Sequence, residues 1–353
     1  MIYKEDWEKS RNRWNAWWNR EVLDRPTIWI TAPKANVKRR MIKQPEDLID
    51  RWTNVEYILE TTEEKIRCTF WGGEAVPNFW PNLGPNFFSA ILGSELHFAE
   101  DTSWVEPFIN DWKNFHGLHF DPENKWWKLM SKIIKEGARK GKDRFLVAIP
   151  DLHGGGDAIA GIRGTENLCI DLIQYPEKIL ECKEFMKELW FNVYEELYKI
   201  TTSEGQEGTY SWLGWAPGKT CPLQEDLLAL ISPDMFSNFF IDIIKEQVNY
   251  LDYSIFHLDG PECLPHLDLL LEIPGLHGIQ WEPGDGHRPM TRWISLLKKI
   301  QNAGKVLWIN IDIKELDVIL SELSPNGLMV VTEASSQEEA EGVLSRLKMK
   351  HKK

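Results

Sequence analysis

The chain has 353 residues, 42% hydrophobic and 27% charged, an ordinary balance for a globular protein that folds around its own core. A net charge of −13 argues against a phosphate-backbone partner, so no nucleic acid is expected. No apolar run reaches the ~18 residues of a membrane span, the first residues lack the apolar core of a signal peptide, and the five cysteines form no CxxC pair. These features lead us to expect a cytoplasmic protein with no membrane partner.

From the N-terminus, Trp7, Trp14, Trp17 and Trp18 fall on one side of a helix. This predicts a helical extension over 1–26 docked by its aromatic face. Short β-rich runs then recur at 27–33, 74–80, 144–151 and 208–215, and again at 254–259, 277–283, 305–312 and 327–333. Helical patterns separate most of them. The segment 176–202 opens on Pro176, 232–251 opens on a Ser232 cap with Pro233 in its first turn, and 291–305 closes on Gly304. Strands alternating with helices predict an α/β fold with a parallel sheet covered on its faces. Eight such strands fit a (β/α)8 TIM barrel, one domain over 1–353, with rim insertions between the second and third strands. No GxGxxG or GxxxxGK[ST] appears to favour an open nucleotide-binding sheet instead.

In a barrel, function sits at the C-terminal strand ends, and there the runs end in polar groups. "FHLDG" places His257 and Asp259 two apart on a strand, hence on one face. An imidazole and a carboxylate suit zinc, with Glu333 at the last strand end as third ligand; a histidine oriented by a carboxylate without metal is the competing reading. "IPDLHGGGDAIAGIRG" brings Asp151 and His153 to a glycine-rich turn, with Asp157 beyond it and Arg163 placed to clamp a carboxylate. Its D-x-H-x-x-G also spells a cobalamin-binding signature, but the downstream Gly-Gly of such domains does not follow. Asp226 precedes a helix as a further site acid, and Asp151, His153 and Asp226 are the candidate proton carriers. Trp212, Trp215, Gln280, Trp281 and Glu282 are the candidate substrate contacts.

"LISPDMFSNFFIDIIKEQ", followed by "FHLDG", resembles the second half of uroporphyrinogen decarboxylase superfamily proteins, and "RWNAWWNREVLDRPTIWITAP" resembles a poorly characterised branch of it. The resemblance implies a (β/α)8 barrel and either a decarboxylase or a methyltransferase acting with a corrinoid protein. The arginine-rich carboxylate-binding motif of the decarboxylases is missing from "RPTIWITAPKANVKRR". Where the methyltransferases bind zinc through H-x-C and a later Cys, this chain has His257-x-Asp259 and Glu333. An oxygen-rich site suits a Lewis acid for an alcohol or ether better than a thiol activator. The expectation is therefore metal-assisted transfer of a methyl group between a small molecule and cobalamin held on a separate protein. The alternatives are a metal-free decarboxylase or lyase gripping its substrate through Arg163, and a non-catalytic binder whose tryptophans stack on a ring.

Overall fold

The computed structural model describes residues 1–350. Its centre is a seven-stranded sheet in the order β2-β1-β13-β12-β11-β10-β9. The strands are β1 (Thr27–Pro33), β2 (Thr69–Gly73), β9 (Thr220–Leu223), β10 (Tyr253–Asp259), β11 (Gly278–Glu282), β12 (Val306–Asn310) and β13 (Leu328–Glu333). All neighbours run parallel except β2, which lies antiparallel to β1. A parallel pair, β3 (Asn78–Phe79) with β6 (Leu146–Val147), and a parallel bridge from Ala148 to Tyr210 continue the same direction. Among the described residues the ladder does not close on itself. The shown architecture is α/β, with a mostly parallel central sheet between helices.

The period-2 alternation of the strands divides the core in two. Ile28, Ile30, Phe256, Leu258, Ile279, Trp281, Leu307, Ile309, Leu328 and Val330 face the helices. Trp29, Ile255, Val306, Trp308, Met329 and Val331 face the other way, into a second cluster. Helix α1 (Trp7–Trp18) and an antiparallel hairpin, β7 (Thr209–Ser211) with β8 (Gly214–Ala216), complete that cluster. As the aromatic spacing predicts, α1 docks by its tryptophans, and each buried indole N–H finds a carbonyl. Trp14 donates to Glu74 (3.0 Å), Trp17 to Gly327 (2.9 Å) and Trp18 to Trp215 (3.0 Å). Gly327 immediately precedes β13, so α1 plugs the end of the sheet where the strands begin. Gly214 must be glycine, because its φ is +108° and a Cβ there would stand 2.3 Å from the Trp14 ring.

The run expected as a strand over 208–215 is this hairpin, turned through Trp212 and Leu213. Strands β2 and β9 lie outside the predicted runs. The helix over 176–202 forms as its pattern predicts, and Ser232 accepts a hydrogen bond from the Met235 amide as an N-cap. No helix among the described residues is long and apolar enough to cross a membrane.

Candidate functional site

The strands deliver their chemistry at the end opposite α1. His257 and Asp259 close β10, and Gln280 and Glu282 close β11 directly beside them in register. Gln224, Glu225 and Asp226 follow β9, while Asp151 and His153 follow the β6 segment. His153 is gripped from both sides: Nε2 lies 3.2 Å from Asp151 and Nδ1 3.2 Å from Asp157, with Gln224 also against Nε2. Asp157 in turn accepts from the backbone amides of Asp226 (2.8 Å) and Leu227 (2.9 Å).

The glycines of "HGGGD" have a specific task. Glu225, fully buried, accepts from the amides of Gly156 and Asp157 (3.0 Å each) at the start of the helix Gly155–Arg163. A Cβ on Gly155 would come within 2.2 Å of that carboxylate, and one on Gly156 within 2.5 Å. Gly155 also has φ +55°. The carboxylate is thus placed by two residues that have no side chain to obstruct it.

Charges in this mouth are strongly coupled. Burial alone would push the His153 imidazole down, but Asp151 and Asp157 outweigh it and hold its pKa well above the usual value. Burial, then the charge of Asp157, pushes the Glu225 carboxyl well up. Asp226 reaches solvent on one side, yet loss of water around it and the charge of Asp157 raise its pKa to about 6. His153 and His257 oppose that rise and Asp259 adds to it, so Asp226 links the two histidine pairs electrostatically. Across the mouth, His257 Nδ1 is hydrogen-bonded to Gln280 Oε1, and Nε2 lies 4.0 Å from Asp259. The indole of Trp212 meets the His257 ring edge-on at 5.0 Å and 83°.

Asp151, His153, Asp226, His257, Asp259, Gln280 and Glu282 therefore share one end of the fold; Glu282 is already paired with Arg288 (2.7 Å). Other expectations need correcting. Glu333 closes β13, but it does not complete a ligand set with His257 and Asp259. Among the described residues, the groups of three whose ligand atoms all lie within 4.8 Å are His153, Asp157 and Asp226 and, on the hairpin of β4 (Glu95–Phe98) and β5 (Ser103–Glu106), Glu95, His97 and Glu106. Arg163 is not available to a substrate, since Nε holds Asp171 (2.6 Å) and Nη1 donates to the carbonyls of Ile109 and Asn110. Trp281 is fully buried on the helix side against Trp293 (5.0 Å), because the alternation that turns Gln280 and Glu282 inward must turn Trp281 outward. Trp215 belongs to the opposite end, packed edge-on against Trp7. Cys263, just beyond β10, is buried, and burial first, then neighbouring carboxylates, push its thiol up to about 12.

Reasoning from sequence missed Gln224 and Glu225, although both sit beside the proposed Asp226. It also missed two adjoining cavities. One, of about 550 Å³, is walled by Trp29, Trp212, Trp308, Asp312 and Glu333; the other, of about 740 Å³, shares Trp29 and Glu333 and carries Lys34, Arg39 and Lys65.

No protein-family model matches the chain, and no curated protein matches it. Among solved structures, a methyltransferase from Methanosarcina mazei superposes with a TM-score of 0.64, covering 98% of this chain and 99% of that one at 12% identity. The two share a fold along their whole length.

Proposed function

We propose that the chain is a methyltransferase on a (β/α)8 barrel of the uroporphyrinogen decarboxylase type, moving a methyl group between a small molecule and a corrinoid held on a separate protein. One observation carries the reading. In a fold shared end to end with a methyltransferase, two imidazoles and several carboxylates converge at the strand ends where such folds do chemistry.

A divalent metal belongs to the proposal, and the residues present fit one. His153, Asp157 and Asp226 offer an imidazole nitrogen and two carboxylate oxygens close enough to share an ion. Around them, raised carboxyl pKa values mark a mouth short of positive charge. His257 and Asp259, the pair the sequence singles out, stand across Asp226 as the further donors available to it. When bound, the ion supplies a Lewis acid that polarises a substrate oxygen. The remaining work falls to the chain. Gln280 Oε1 accepts a hydrogen bond from His257 Nδ1–H and so leaves Nε2, 4.0 Å from Asp259, as the nitrogen the ring can offer to the ion or the substrate. Asp151 orients His153 from behind. Trp212 excludes water from one edge of His257. The decarboxylase alternative loses its substrate clamp, because Arg163 is occupied.

The test mixes the protein with chemically reduced cob(I)alamin and a panel of methylated amines, alcohols and ethers, following methylcob(III)alamin by absorbance. The reading predicts a protein-dependent rate that falls by about 100-fold or more in His257→Ala. Rates equal to those without protein across the panel would overturn it.

A further inference from the structure

The cavity of about 550 Å³ beside the mouth has an unusual lining for an enzyme interior. Three indoles, Trp29, Trp212 and Trp308, share it with two carboxylates, Asp312 and Glu333, and among the described residues no Lys, Arg or His lines it. The cations of this region, Lys34, Arg39 and Lys65, line the neighbouring cavity instead. The indoles are held firmly: Trp29 and Trp308 cross at 5.7 Å and 61°, and Trp14 packs beneath both, at 6.4 and 6.0 Å. Asp312 is occupied in capping the turn that follows it, accepting from the Lys314 amide at 2.9 Å. Glu333 is different. Its carboxylate has no hydrogen bond or ion pair with any described residue, although it closes a central strand. Two indole N–H groups, Nε1 of Trp212 and of Trp308, are buried without an acceptor.

We propose that this cavity binds a methylated ammonium group, and that its ligand is a small quaternary ammonium compound. Indole faces attract a cation through the ring quadrupole, and they suit one whose charge is spread over methyl groups, which cannot form hydrogen bonds. Glu333 supplies the counter-charge, and no cation among the described residues lines the cavity to repel the ligand. The inference rests on the methyl-transfer reading only in calling this ligand a substrate.

Choline is the probe, and 3,3-dimethylbutan-1-ol, which has the same shape and hydroxyl but no charge, is its control. Titration of the full chain, read by calorimetry and by indole fluorescence, should show choline binding about tenfold or more tighter than the control. Glu333→Gln, at an exposed position, should weaken choline about tenfold and leave the control unchanged. Trp212→Leu should weaken choline as well. Equal affinities for choline and its control overturn the proposal, as does no choline binding to wild type at about 10 mM. Unchanged choline affinity in Glu333→Gln does the same. Because the readout is binding, choline bound without methyl transfer would sink the reaction and leave this site standing. Methyl transfer from other donors without choline binding would do the reverse.

Discussion

The two ends of the sheet use similar residues to opposite purposes. At the end where the strands begin, Trp14, Trp17 and Trp18 are buried and each indole N–H is hydrogen-bonded to a named carbonyl. Charges there are settled too. The buried Glu74 carboxylate takes both Nη atoms of Arg25 (2.8 and 2.6 Å) and the amide of Ile28 (2.9 Å). At the end where the strands finish, Trp212 and Trp308 leave their N–H groups unmade, Glu333 has no partner among the described residues, and Glu225 and Asp226 are raised toward their protonated forms. At the structural end the plug's indoles and the Glu74 carboxylate are hydrogen-bonded, and at the working end the carboxyls stay raised. The same residue type thus divides by its surroundings: Trp14, Trp17 and Trp18 plug one end, and Trp212 and Trp308 wall a cavity.

The sharpest way to break this contrast is to truncate on both sides. Trp14→Ala should lose ~3–5 kcal/mol in urea unfolding, as expected for a buried indole. A loss under ~1 kcal/mol would show that the plug does not hold the sheet. Glu74→Gln comes next, at about 3 kcal/mol, because it strands the Arg25 guanidinium in a dry site. Trp212→Ala, half-buried and without a hydrogen bond to lose, should cost less than ~2 kcal/mol while lowering activity or ligand affinity. A cost equal to that of Trp14→Ala would erase the distinction.

The smallest effect concerns pH. In metal-free protein Asp226 titrates at about 6, above the ~3.9 of an unfolded aspartate, so the folded state binds the proton more tightly. Wild type should therefore lose stability relative to Asp226→Asn as pH rises from about 4 through 6, by less than ~1 kcal/mol once solvent screening is counted. Melting curves of the two proteins across that window check the sign. A difference that narrows with rising pH would contradict the raised value.

How far the sequence carried these conclusions depended on whether the determining contact was local. Strands β1, β10, β11, β12 and β13 were legible because alternation and β-branched residues are written into adjacent positions. Strand β9 was not, because Pro222 in "TCPL" argues against a strand; it is tolerated here where β9 ends the seven-stranded ladder. The β7–β8 hairpin read as one strand because its turn depends on Gly214 fitting against Trp14, some 200 residues away. In the site, His153, Asp226 and His257 stood out by residue type and position. Glu225 did not, since its role arises from a tertiary approach that Gly155 and Gly156 make possible. The misplacement of Trp281 was avoidable. If His257 and Asp259 face inward, register already assigns Gln280 and Glu282 to the same face and sends Trp281 to the other.

The most direct test of the central claim, that the far end is a metal-assisted working site, is elemental analysis of purified protein after incubation with zinc and gel filtration. Wild type should retain about one equivalent. His153→Ala and Asp226→Asn should retain almost none, Trp14→Phe should match wild type, and retention should fall with pH as the imidazole is protonated. Wild type that leaves the column without metal, or His153→Ala and Asp226→Asn variants that keep a full equivalent, would contradict the account.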